Sequence, residues 1–104
     1  MKQLTHNLLK MNFSGIDIND VSKIEFAFSQ NIGEKPLKEA EYPNNKTTLI
    51  ADNLIGVIWT AEETKLFEAD KYFYCDTRIT LKGSVYQPET PILKLKMQPT
   101  LFEG

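Results

Sequence analysis

The sequence is poor in the residue types that catalytic and metal sites draw on. It has one cysteine, Cys75, and one histidine, His6, among 104 residues. A single cysteine excludes an intramolecular disulfide, so the fold has to be held by its core. One histidine and one cysteine leave too few ligands for a zinc site of the usual types. A cysteine nucleophile needs a basic partner, and His6 lies in a polar N-terminal stretch that is expected to be mobile. The chain also lacks a glycine-rich phosphate loop and the Gly-x-Ser-x-Gly turn of a serine hydrolase. No catalytic, cofactor or metal residue is therefore assigned, and the chain is not read as an enzyme.

Other classes fall for want of charge or of apolar length. The net charge is -2, and the twelve basic residues are spread along the chain. No basic stripe forms that would follow a nucleic-acid backbone, so nucleic acid is not an expected partner. No apolar run approaches the length of a membrane-spanning helix, and a membrane is not an expected partner either. The first residues, Met1-Lys2-Gln3-Leu4-Thr5-His6-Asn7, have no signal-peptide core, which sets the expectation of folding in a reducing cytoplasm. The length matches one domain spanning 1–104.

What is present is alternation. Ile24, Phe26 and Phe28 alternate with Glu25, Ala27 and Ser29, the pattern of a strand with one apolar face. Phe73, Cys75, Thr77, Ile79 and Leu81 alternate with Tyr72, Tyr74, Asp76, Arg78, Thr80 and Lys82. Leu93, Leu95 and Met97 alternate with Lys94 and Lys96. Leu9, Met11 and Phe13 are in step near the start. Ile55, Val57 and Trp59 share one face of a further strand, with Leu54 and Ile58 on the other. The short runs 38–42 and 47–50 read as strands near sheet edges. In this phase Cys75 is a buried, inert thiol and Trp59 belongs to the core.

Turn chemistry separates these runs at Ser14-Gly15, Asn19-Asp20, Asn31-Ile32-Gly33, Pro43-Asn44-Asn45 and Asp52-Asn53. Lys82-Gly83 is expected to turn a hairpin. Asp17-Ile18-Asn19-Asp20 resembles the start of a calcium loop. It lacks the later glycine and glutamate of one and is read as a turn. Thr60-Ala61-Glu62-Glu63 has the spacing of a capping box and predicts a short helical turn, with Leu66 and Phe67 closing one end of the core. Many short strands with frequent turns predict an all-β, antiparallel sandwich of about seven strands with one short helical turn.

The most suggestive surface residues are aromatic. Tyr72 and Tyr74 fall on the polar side of their strand, where an exposed pair suits a binding surface. Arg78 shares that side and is expected to pair with Asp76. With Tyr86, these residues form the candidate interface: Tyr72, Tyr74, Arg78 and Tyr86.

The segment Trp59-Thr60-Ala61-Glu62-Glu63-Thr64-Lys65-Leu66-Phe67, followed by a strand with Asp76-Thr77-Arg78-Ile79, resembles small prophage-encoded structural proteins of Gram-positive bacteria. Their turn motif is Leu-Thr-x-Glu-Glu-Thr-x-x-Phe. Gly83, the run Pro91-Ile92-Leu93-Lys94-Leu95 and the ending Leu101-Phe102-Glu103-Gly104 match the rest of that pattern. The strand Val21 to Gln30 matches its opening. The resemblance covers Val21 to Gly104, with Trp59 in place of a smaller aliphatic residue and Asp76 in place of Gln. It implies an immunoglobulin-like β-sandwich and a tail- or baseplate-associated structural role. It also implies assembly in the host cytoplasm and then residence in the virion, with other phage structural proteins or further copies of itself as partners. A carbohydrate- or surface-binding module, stacking sugars on Tyr72, Tyr74 and Tyr86, is the second expectation.

Overall fold

The computed structural model describes residues 1–83, 88 and 90–101. Among them the expected sandwich is present. Seven strands form two antiparallel sheets, joined with one short helix. The strands are β1 (Asn7–Asn12), β2 (Val21–Ser29), β3 (Lys38–Tyr42), β4 (Thr47–Ala51), β5 (Leu54–Trp59), β6 (Lys71–Leu81) and β7 (Leu93–Met97), and the helix is α1 (Ala61–Thr64). The three-stranded sheet has the order β1-β5-β4 and the four-stranded sheet the order β3-β2-β6-β7. The orders β1-β5-β4 and β3-β2-β6-β7 match strands B-E-D and C′-C-F-G of an immunoglobulin-like sandwich, with no counterpart of its first strand A among the described strands.

The core is built from the apolar phase of each strand. Ile24 and Phe28 of β2 lie directly opposite Ile79 and Cys75 of β6, Phe26 lies opposite Thr77, and Ile24, Phe26, Phe28, Phe73, Cys75 and Ile79 are all buried. Ile55, Val57 and Trp59 supply the other layer. Trp59 is its centre. Its ring meets Phe28 at 4.8 Å, Phe67 at 5.4 Å and Phe73 at 5.7 Å in edge-on or tilted geometry, the arrangement that ring quadrupoles favour. Its indole N–H is buried without a hydrogen-bond acceptor. At the opposite end of the molecule, Phe13 packs edge-on against Phe26 at 6.1 Å.

Gly56 sits mid-strand in β5 for a steric reason. A Cβ there would lie 2.6 Å from Leu8 Cδ1 and 2.9 Å from Ile50 Cδ1. Those side chains come from β1 and β4 and close over the glycine from both sides. Leu8, Ile50 and Ile58 remain 44, 39 and 42% exposed, so the outer face of the three-stranded sheet is aliphatic.

Two local expectations change. The N-terminal stretch is tied down: Gln3 N–H donates to Gln98 O at 2.9 Å, Gln98 N–H donates to Met1 O at 2.6 Å, and Leu4 N–H donates to Thr64 Oγ1 at 2.8 Å. Polar composition suggested mobility, but backbone pairing with the end of β7 does not depend on side-chain polarity. His6 itself is exposed. After α1, Phe67 is buried but Leu66 points outward and is exposed, and Thr64 takes the inner position. A four-residue helix has too little periodicity to fix which side faces in. Lys82-Gly83 does turn, with Gly83 at φ +66°. The arm expected to follow it falls largely on residues outside those described; among the described residues β6 next pairs with β7, where Cys75 lies opposite Leu93. Asp17 caps a 3-10 turn at Ile18–Asp20 by accepting from Asn19 N–H at 2.9 Å, which is the turn expected.

Candidate functional site

The β2–β6 register places the polar phase of both strands on one outer face. Glu25 lies opposite Arg78, Ala27 opposite Asp76 and Ser29 opposite Tyr74. Tyr74 and Tyr72 in turn lie opposite Lys94 and Lys96 of β7. On the other flank, Glu41 and Glu39 of β3 lie opposite Glu25 and Ala27. Three of the four candidate interface residues, Tyr72, Tyr74 and Arg78, therefore share one surface. Tyr86 lies outside the described residues.

The side chains on this face are held in place. Arg78 grips Glu25 with two parallel bonds, Nε to Oε1 at 3.0 Å and Nη2 to Oε2 at 2.7 Å. The hydrogen bond from Arg78 keeps the Glu25 carboxyl below its ordinary value, against the opposing effect of burial and with help from the Arg78 and Lys23 charges. The expected partner Asp76 is displaced because Glu25 sits directly across the strand pair, the closest placement a sheet offers. Tyr72 is half exposed, and the Lys94 ammonium sits 4.0 Å from its ring centroid, a cation–π contact. A shallow depression of about 300 Å³ over Ala27 is walled by Glu25, Glu39, Glu41, Asp76 and Arg78. A second, of about 310 Å³, lies toward Ile32, Pro36, Tyr74 and Ile92.

The other group of ionisable side chains centres on the buried Lys38 and the nearly buried Glu63, with Lys46 reaching in from the surface. Thr60 caps α1, accepting from Glu63 N–H at 3.2 Å, while Glu63 Oε1 accepts from Thr60 N–H at 2.9 Å. The second Glu63 oxygen accepts from Lys38 Nζ at 2.8 Å and Lys46 Nζ at 2.7 Å. Lys38 also donates to Ile58 O at 2.9 Å and lies 5.0 Å from the Trp59 ring centroid. Burial pushes the Glu63 carboxyl up, but the bonds from Lys38, Lys46 and the Thr60 N–H outweigh it and bring it down to about 2. Burial lowers the Lys38 pKa, with Glu63 opposing. Each Glu63 oxygen is thus spent on holding α1 and the two sheets together.

Sequence reasoning found the capping box but not the two lysines that reach it. The available signal was Lys38 itself, in phase with Ala40 and out of phase with Glu39 and Glu41. An inward charge at the start of an edge strand needs a buried counter-charge. Cys75 is fully buried, and burial aided by the Asp76 charge pushes its thiol up to about 12, far from the depressed value of a reactive cysteine. Among the described residues no cluster of three His, Cys, Asp or Glu side chains is placed to hold a metal ion. No helix among them is long and apolar enough to cross a membrane.

Comparison of the chain with protein-family models, curated proteins and solved structures returns no match. The functional reading therefore rests on this face, its edges and the resemblance in the sequence. An apolar cleft of about 440 Å³ also opens between β1 and β7, lined by Leu9, Met11, Phe13, Ile79, Leu93 and Leu95.

Proposed function

We propose that this chain is a non-enzymatic assembly module, a β-sandwich that takes its place in a larger particle through protein–protein contacts. The particle that the sequence resemblance implies is a phage tail or baseplate. The observation that carries the reading is the outer face of the four-stranded sheet. It combines a half-exposed aromatic ring, a fixed Arg–Glu fork and, on one flank, the carboxylates of Glu39 and Glu41, which have no ion-pair partner among the described residues. Ordered charges around an exposed aromatic suit recognition of another protein, where complementary charge sets register and partner choice. Sugar stacking is less well supported, because Lys94 already covers one face of the Tyr72 ring.

The test is retention in purified particles from the bacterium that encodes the chain. The protein is expected in those particles, and a Tyr72→Ala/Arg78→Ala variant that folds normally is expected to be missing from them. Absence of the unaltered protein from purified particles overturns the phage reading. A glycan array that binds the protein and loses it with Tyr72→Ala and Tyr74→Ala moves the function to the carbohydrate class.

A further inference from the structure

The four-stranded sheet ends in two strands of opposite charge. The outward side chains of β3 are Glu39 and Glu41, and those of β7 are Lys94 and Lys96. All four lie on the same face of the sheet and are spaced two residues apart on both strands. Among the described residues neither Glu39 nor Glu41 forms an ion pair within the chain. Lys94 has Tyr72 as its neighbour, and Lys96 reaches Asp70 at 3.2 Å.

Strand direction fits as well. β3 is antiparallel to β2, β2 to β6 and β6 to β7. Three reversals leave β3 and β7 antiparallel to each other. A second copy moved sideways in the same orientation therefore brings its β3 antiparallel to the first copy's β7. We propose that copies of this chain associate in this way, the basic β7 edge of one against the acidic β3 edge of the next. The proposal deepens the assembly reading by naming the partner as a second copy.

The other pairings of these edges are unfavourable, since β3 against β3 or β7 against β7 opposes like charges. The contact is heterologous, so it generates a ring or a filament, and sheet twist rotates each copy relative to the last. Few backbone groups are free to form a ladder. Glu41 N–H and C=O are bonded to Asn45 at 2.9 and 2.7 Å, and Lys96 O accepts from the Met1 ammonium at 3.2 Å. By alternation the open groups are those of Glu39 and Lys94. Side-chain charge therefore carries most of the association, which makes it weak and salt-sensitive.

Light scattering and sedimentation on the full chain test this at low and high salt. Unaltered protein is expected to self-associate in low salt and to dissociate in high salt. Glu39→Lys/Glu41→Lys and Lys94→Glu/Lys96→Glu are each expected to associate about tenfold or more weakly when alone. An equal mixture of the two restores association, because every junction then joins opposite charges. These positions are on the surface, and circular dichroism checks that both variants fold; the salt response of the unaltered chain stands independently of them. A monomer at all concentrations in low salt, or association indifferent to the charge swaps, overturns the proposal. Such a monomer found in purified particles leaves the assembly reading intact, whereas a monomer absent from them ends both.

Discussion

Two ion pairs of nearly equal length occupy opposite settings in this molecule. Lys38 meets Glu63 at 2.8 Å with side chains 0 and 13% exposed, and Arg78 meets Glu25 at 2.7 Å with side chains 62 and 29% exposed. Distance does not rank them. Water can rehydrate either partner of the outer pair when the other is lost. It cannot reach Lys38, whose ammonium is fixed between a carbonyl, a carboxylate and an indole ring. The inner pair holds α1 to the ends of β3, β4 and β5. The outer pair sets the charge pattern of a surface.

Breaking the inner pair is the largest effect expected. Glu63→Ala removes the capping bond to Thr60 and leaves Lys38 charged and buried without a counter-ion. The cost is about 3–5 kcal/mol in a denaturant titration. A Lys38→Met/Glu63→Gln double variant removes the stranded charge and keeps an acceptor for the Thr60 N–H. It is expected to recover at least half of that loss, because the penalty lies in the orphaned ion and not in the absence of the pair.

Acid sharpens the same contrast. Glu63 has a folded pKa of about 2 against an ordinary 4.5. A carboxyl depressed by folding contributes stability that is fully present above about 4.5 and is lost as the pH falls toward about 2. Thermal melts across that window are expected to fall steadily. Glu63→Gln, which has no proton to gain there, is expected to start less stable and to show a shallower slope. An equal slope in both proteins would place the acid sensitivity elsewhere.

The inner pair also marks the limit of what the sequence makes legible. Alternation needs only neighbouring residues, so the strands and their inward phases can be read directly: Phe26, Phe73, Cys75 and Ile79 are all buried. The capping box is legible because Thr60 and Glu63 are three residues apart. Lys38 and Lys46 are 25 and 17 residues from Glu63, and Glu25 is 53 from Arg78. Only strand order and register bring those groups together, and neither is encoded in local spacing. The docking of Met1–Gln3 on the end of β7 is hidden for the same reason. The candidate face was visible as the exposed phase of β6, but its acidic and basic flanks come from β3 and β7 and depend on the sheet order.

The smallest effect belongs to the outer pair. Glu25→Gln removes the charge but keeps an oxygen for Arg78, and Arg78→Ala removes the fork altogether. Neither leaves a buried ion behind, since both groups face water and Lys23 remains 3.5 Å from Glu25. The melting temperature is expected to shift by at most a few degrees in low salt, and the shift to vanish in high salt as the charges are screened. A salt-independent loss as large as that of Glu63→Ala would show that the outer face is part of the framework. Near-neutral stability combined with loss from purified particles would instead show that the fork is kept for the surface it presents. The two pairs then differ in purpose as well as in exposure.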